Sequence, residues 1–446
     1  MATLFPIRMR IFFPLFFLFF WFGSSFSSQI LAHPMPYTTL SLQIQETKIT
    51  GDVRIPISEL QTAIGFSLDE NAARLLQKNK ASWKTYLLQH IQPKTLDGKP
   101  WHVAIHDLRI TETVSALSGN YLELAFECQL SPPKSYDLRH FYLGYEAVLR
   151  EVASHKALIS IQHDWRQGIF RNQHSPKEIG MLEWDIQTGT LKPFLVNIDA
   201  GSPWNGFKEM IHLGMEHISE GTDHLLFLFL LLLPIPFIYN PSTKKNTLLS
   251  IREGSKRILY LVSSFTLGHS VTLFIGGMHI LTLPTQIIEI LIGISILLTA
   301  IHVMYPIFPN KEKRIAFGFG LVHGLAFATT LDYMQLGTKQ QMASIFGFNL
   351  GIELMQLAII SAVLPGLFLL SRTAYYRLFR NGMAVIGFVA GLGWITERIT
   401  NSMNMVTTFI THIEAHILSI YLLFLAFSAV CYFLHRRNRR KNLGNR

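Results

Sequence analysis

Histidine and acidic residues recur inside the apolar runs of the C-terminal half of this 446-residue chain. His217, Asp223 and His224 lie close together in sequence, with Gly221 between the two histidines. Seven positions at about 100° each return His217 and His224 to nearly one face of a helix. Neutral imidazole and carboxylate groups together suit Zn, Ni or Co, so this spacing predicts a site for a divalent transition metal.

Three further apolar runs supply partners for these residues. His269 and His323 lie near the middle of their runs, and Asn349, Glu353 and Gln356 follow one another at helical spacings of four and three. A charged group at mid-bilayer costs about 2.5 to 3.5 kcal/mol on insertion scales, so its repetition at one depth indicates a shared site. We predict metal ligands at His217, Asp223, His224, His269, His323 and Glu353, with Asn349 and Gln356 as polar residues around them. The alternative is that each histidine hydrogen-bonds separately across helices.

The apolar runs that carry these residues are long enough to cross a bilayer. We predict seven spans, at about 211–238, 258–277, 284–305, 314–331, 342–370, 383–399 and 413–434. Basic residues cluster in alternate loops, as around Lys244 and Lys311, and again in the tail 435–446, whereas the opposite loops hold little beyond Lys339 and Arg398. The positive-inside rule therefore predicts a cytoplasmic tail and an exported N-terminal half.

The N-terminus has the pattern of a secretory signal. Arg8 and Arg10 precede an apolar run that ends in small residues and Ala32. We predict a signal peptide over 1–32, with a retained anchor as the alternative. Cleavage after Ala32 would leave His33 with a free amine, which makes it a candidate exported metal ligand beside a second histidine such as His155 or His163.

Residues 33–205 predict an exported, mainly-β domain. Apolar residues alternate over 39–45, 101–105 and 122–130, and again around 158–161, which is typical of half-buried strands. Residues 69–91 show helical spacing after a predicted cap at Asp69. We expect Cys128 in the core of this domain and His102 and His106 in solvent.

Composition excludes several classes of protein. The chain is 49% hydrophobic and 15% charged, which excludes a disordered protein and argues against a purely soluble one. The net charge is +10, and the basic residues cluster between the apolar runs and in the tail. This distribution indicates membrane topology and lipid contact rather than binding of nucleic acid. No phosphate-binding G-x-x-x-x-G-K-[ST] stretch is present, and we expect no nucleotide.

Four motifs resemble the HupE/UreJ family of membrane proteins. They are His-x5-Asp-His on the first span, Gly-His-Ser on the second, Val-His-Gly on the fourth and Phe348-Asn349-Leu350-Gly351-x-Glu353 on the fifth. From Ala32-His33-Pro34 to Trp394-x-x-Glu397-Arg398 the chain resembles the long subgroup, which has an exported β-rich domain. The resemblance implies a nickel or cobalt permease of the bacterial cytoplasmic membrane, with a periplasmic N-terminal domain. Ile218 follows His217 where nickel-linked short members have proline, which leaves the metal open.

The sequence thus predicts a signal peptide, an exported mainly-β domain and an α-helical membrane domain that transports a divalent metal ion. Two alternatives use the same cluster. A zinc hydrolase inside the membrane would use three ligands and Glu353 as its base, although no H-E-x-x-H is present. A haem protein would use histidines on facing helices as axial ligands.

Overall fold

A computed structural model describes residues 37–67, 71–115, 119–134, 136–170, 176–185, 187–240, 245–278, 280–281, 283–309, 311–332, 336–414 and 416–444. The predicted signal peptide, its cleavage point and His33 lie outside the described residues.

The N-terminal region is mainly β, as predicted. A six-stranded sheet has the order β4-β5-β2-β1-β7-β8, and a three-stranded sheet has the order β3-β6-β9. The strands are β1 (Thr38–Ile44), β2 (Ile49–Pro56), β3 (Ile91–Lys94), β4 (His102–Ser115), β5 (Gly119–Ser131), β6 (His140–Tyr145), β7 (Lys156–Asp164), β8 (Lys177–Glu183) and β9 (Phe194–Asn197). The predicted alternation places Leu40, Leu42 and Ile44 of β1 in the core.

Two helices, α1 (Ile57–Ile64) and α2 (Ala72–His90), accompany these sheets. The predicted cap at Asp69 is wrong, because α2 is capped by Asn71, whose side chain accepts a hydrogen bond from the backbone N–H of Ala73. Cys128 is buried in the core, and His102 and His106 are exposed, as predicted.

The C-terminal half is helical. Its helices are α3 (Pro203–Glu220), α4 (Thr222–Leu232), α5 (Ile251–Gly277), α6 (Thr285–Met304), α7 (Glu312–Asp332), α8 (Thr338–Ser371), α9 (Tyr376–Thr400), α10 (Met405–Glu414) and α11 (Ile417–Gly444). A short ribbon of β10 (Phe237–Asn240) and β11 (Lys245–Leu248) connects α4 to α5.

Five of the described helices, α5, α6, α8, α9 and α11, are long and apolar enough to cross a membrane. The predicted first span is not one helix, because the chain breaks at Gly221 between α3 and the eleven-residue α4. The predicted number of seven spans is not confirmed by these five helices.

Two helix pairs form the centre of this half: α5 packs along α7, and α3 packs along α8. The β-rich region contacts the same helices, because Gly206 near the start of α3 lies against the ring of Trp165 just after β7. The site described next lies where α3, α4, α5 and α7 meet.

Candidate metal centre

The helix break at Gly221 brings two predicted ligands together. Gly221 has an extended backbone, with φ −74° and ψ 96°, which ends α3 before α4 begins. The rings of His217, on α3, and His224, on α4, have centroids 4.6 Å apart. Asp223 holds one of them in place, since its Oδ1 accepts from the backbone N–H of His224 at 2.9 Å and lies 2.8 Å from the Nδ1 of that ring. An ionised carboxylate only accepts, so Nδ1 carries the hydrogen and Nε2 of His224 remains a lone-pair donor.

Two other helices bring histidines to the same place. The ring of His323, on α7, lies 5.3 Å from that of His224, and the ring of His269, on α5, lies 6.5 Å from that of His217. Four imidazoles from four helices therefore form a row of neighbouring rings, in the order His269, His217, His224 and His323, which we call the histidine chain. Two imidazoles that bind one ion at about 2 Å from each nitrogen have ring centroids about 5 Å apart, so the two shorter spacings suit a shared ion.

Two members of this histidine chain have buried nitrogens that lack partners. His269 is 1% exposed and His323 is fully buried. Both ring nitrogens of His269 and Nδ1 of His323 have no hydrogen-bond partner among the described residues. Buried polar atoms in folded proteins are nearly always paired, so each exception requires an explanation. A cation bound to these nitrogens would be such an explanation.

The hydrogen bonds of Ser295, on α6, indicate the form of His323. The Ser295 hydroxyl donates to the backbone oxygen of Ile292 at 2.7 Å, and its oxygen lies 3.0 Å from Nε2 of His323. The single hydroxyl hydrogen is used by Ile292, so Nε2–H of His323 is the donor in the second bond. Nδ1 of His323 therefore presents a bare lone pair inside the protein, which is the form in which imidazole binds a metal.

Phenylalanine rings surround the histidine chain. Phe227 and Phe265 lie 5.1 Å and 5.3 Å from the ring of His323, and Phe348 lies 5.4 Å from the ring of His217, between centroids. These apolar rings keep bulk water from the imidazoles, so a cation that enters would exchange its hydration shell for protein ligands.

Close helix packing sets the positions of His269 and His323. Gly324 follows His323 on α7, and a Cβ at this glycine would overlap the backbone oxygen of His269 and the hydroxyl of Thr272 on α5. Only glycine lets the two helices approach this closely, as in small-residue contacts between membrane helices.

The predicted residues on α8, Asn349, Glu353 and Gln356, are not members of the histidine chain. Gln356 and His224 line one small cavity of about 10 Å³, close to the volume that one water or ion needs. The Nδ2 of Asn349 donates to the backbone oxygen of Ile345 at 2.8 Å, and its Oδ1 is buried with no partner among the described residues. Glu353 accepts from the hydroxyl of Ser263 at 3.4 Å. Ser263 precedes His269 by six residues of α5, which is about 9 Å along the axis.

The six predicted ligands do not converge on one point. Within the described part of the chain, no three His, Cys, Asp or Glu side chains are arranged to hold one metal ion together. His302 lies in the last turn of α6, and Nδ1 of its ring accepts a hydrogen bond from the backbone N–H of Phe308 at 3.3 Å. His155 and His163, considered as partners for His33, are both buried in the β-rich region.

Comparison with known proteins gives a match over the segment that contains these residues. Residues 195–398 match the model of the family described as HupE / UreJ protein. This segment of the chain therefore contains a HupE/UreJ domain. No curated protein and no solved structure matched the chain.

The HupE/UreJ segment runs from β9 to the end of α9 and includes the four clustered histidines, His217, His224, His269 and His323. It also includes residues that the sequence interpretation missed, above all Ser295, Gly324 and the phenylalanines. Ser295 is a polar residue within an apolar run, which is a detectable signal. The phenylalanines gave no such signal, since aromatic residues are common in apolar helices.

Proposed function

We propose that this chain is a secondary transporter of a divalent transition-metal ion, nickel or cobalt, in the bacterial cytoplasmic membrane. The observation that carries the proposal is the row of imidazoles from four helices, in which buried nitrogens of His269 and His323 lack partners. The match of residues 195–398 to the HupE/UreJ family model supports it, because the resemblance to HupE/UreJ proteins implies a nickel or cobalt permease.

The broken helix supports transport in particular. Many transporters bind their substrates where a membrane helix is interrupted, because the interruption exposes backbone groups and lets side chains move. Here the interruption at Gly221 lies directly between His217 and His224. The ion would bind as the rings turn toward it, first between His217 and His224 and then between His224 and His323, with Asp223 holding His224.

Four further residues complete the proposed pathway. His269 adds a second imidazole beside His217, Gln356 supplies a neutral polar group beside His224, and Asn349 supplies a buried amide oxygen on α8 that lacks a partner among the described residues. Glu353, on α8, contacts Ser263, which precedes His269 by about 9 Å along α5, and it would take the ion or its proton next on the cytoplasmic side. Protonation of the emptied ligands would couple ion movement to the proton gradient.

The proposed topology places the β-rich region in the periplasm and the C-terminal end of α11 in the cytoplasm. We further propose that the long-subgroup resemblance is genuine, with a cleaved signal peptide before the β-rich region. His33 would then be an additional exported ligand.

The test is metal flux in proteoliposomes that contain the full chain. We expect saturable uptake of nickel or cobalt that exceeds the uptake of zinc and copper. His323→Ala should reduce this uptake to the rate of protein-free liposomes, because it removes the bare Nδ1. His302→Ala is the matched control, since it removes a histidine from the end of α6, and it should retain most of the flux.

Two results would contradict the proposal. One is tight binding and transport of metal retained by the double variant His224→Ala, His323→Ala. The other is turnover of a lipid or peptide without metal flux, which would favour the zinc hydrolase. Gel filtration and circular dichroism of each variant show whether it is inserted and folded.

A further inference from the structure

A second polar site lies where the β-rich region meets the first turn of α8. A cavity of about 320 Å³ opens there, large enough for a small organic ligand. Its polar lining consists of Gln45, Glu46, Arg139, Asp164, Arg166 and Gln340. Gln340 belongs to α8, and the other five residues belong to the β-rich region. The cavity is separate from the histidine chain.

A buried ion pair in this cavity has atoms without partners. Arg139 is 7% exposed and Asp164 is fully buried, and Nη2 of the arginine donates to Oδ1 of the aspartate. Nε of Arg139 and Oδ2 of Asp164 have no hydrogen-bond partner among the described residues. Leaving buried charged groups short of partners costs more than leaving neutral ones, so this ion pair keeps unsatisfied hydrogen-bonding capacity in the wall of the cavity. Of its two atoms without partners, Nε donates and Oδ2 accepts.

Two exposed residues of the lining, Arg166 and Glu46, add a second positive and a second negative charge. Arg166 forms no ion pair with any described residue, and its backbone N–H and carbonyl are fixed by Asp164 and by Ser202. Glu46 lies beside Gly337, just before α8. The charged lining therefore holds two guanidinium groups and two carboxylates, with no net charge. A lone cation would face two arginines, and a lone anion would face two carboxylates.

We propose that this cavity binds a small zwitterion, a free amino acid or a dipeptide, whose carboxylate faces Arg166 and Arg139 and whose ammonium group faces Glu46 and Asp164. The volume suits a ligand of this size, and opposite charges at its two ends match the lining. The bound molecule would touch both the β-rich region and α8. This proposal does not depend on metal transport.

Calorimetric titration of the purified full-length protein tests the site. L-leucine and L-alanyl-L-alanine are the zwitterionic probes, and their relative affinities distinguish an amino acid from a dipeptide. The analogues 4-methylpentanoate and 3-methylbutylamine are leucine without its ammonium group and without its carboxylate. We expect saturable binding of at least one zwitterion and at least tenfold weaker binding of each analogue.

Variants identify the cavity as the place of binding. Arg166→Gln and Glu46→Gln should each weaken binding at least tenfold, and neither removes a member of the buried ion pair. Arg150→Gln, an exposed arginine of the same region outside the cavity, should bind as the unmodified protein does. The proposal is overturned if neither zwitterion binds saturably, if either analogue binds within threefold of leucine, or if Arg166→Gln leaves the affinity unchanged.

Discussion

The rings of His217 and His224 lie 4.6 Å apart although they belong to different helices. The break at Gly221 replaces the single helix face on which seven-residue spacing would have placed them. Each ring is therefore carried by its own helix end and can change position with that helix. Such freedom suits a substrate site, where ligands must both hold and release an ion.

Gly221→Ala tests the space between these helices. A Cβ at residue 221 would lie 2.6 Å from Nδ1 of His224 and 2.9 Å from the backbone oxygen of His217, so the His224 ring must move. We expect nickel or cobalt affinity to fall at least tenfold in equilibrium binding to the purified protein. Gly382→Ala, on α9, is the control, because no atom lies within 4 Å of its new Cβ. Equal affinities in the two variants would contradict the role of the break.

Ser295→Ala tests the form of His323. Without the hydroxyl oxygen, Nε2 of His323 loses its acceptor, and the ring no longer has a fixed tautomer or orientation. Loss of such a supporting hydrogen bond typically costs about 10- to 100-fold in metal affinity. Ser264→Ala serves as the control, since that hydroxyl only donates within its own helix to Tyr260. An unchanged metal affinity in Ser295→Ala would show that His323 is not a ligand.

Gly324→Ala tests the contact between α5 and α7. The new Cβ would overlap backbone of the facing helix, which cannot move aside as a flexible side chain can. We expect a loss of about 1 to 3 kcal/mol in the free energy of unfolding, as for other overpacked sites. Gly318→Ala lies on the same helix with open space around it and should be at least as stable as the unmodified protein. Thermal unfolding in detergent gives the comparison.

The predicted orientation is tested by labelling single cysteines in intact cells. Lys339→Cys, just inside α8, should react with a membrane-impermeant reagent, and Arg437→Cys, near the end of α11, should not. The two native cysteines, Cys128 and Cys431, are buried and give the background. Labelling of residue 437 without labelling of residue 339 would reverse the topology.

Acid should destabilise the β-rich region through His163. Burial on β7, beside the ring of Phe170, lowers the pKa of His163 to about 4. Because the unfolded chain keeps a pKa of about 6.5, protons favour unfolding as the pH falls from 6.5 to 4. This difference in pKa makes the free energy of unfolding up to about 3 kcal/mol larger above pH 6.5 than near pH 4.

The unfolding midpoint of the full chain, followed by tryptophan fluorescence between pH 7.5 and 4.5, measures this effect. His163→Gln should lower the dependence on pH, whereas His102→Gln, which replaces an exposed histidine, should not. Parallel curves for His163→Gln and the unmodified protein would exclude His163 as the cause.

Local sequence patterns determined many of the strands, the apolar helices and part of the candidate site. Alternation placed β1, β2 and β5 and the buried Cys128, because side chains on a strand point to opposite faces regardless of what packs on them. Apolar length marked the membrane helices, and the cost of polar groups in hydrocarbon marked His269 and His323. These signals depend on a single segment and its solvent, so they can be read without the rest of the fold.

Tertiary structure decided how the segments meet. A continuous helix through Gly221 satisfies the periodicity of that segment as well as a broken one, and only packing against neighbouring helices selects the break. The distance of Glu353 from the histidines, the support of His323 by Ser295 and the approach at Gly324 each depend on the relative height and rotation of two helices. Those offsets are set by side-chain packing between segments far apart in sequence, which no pattern within one segment records.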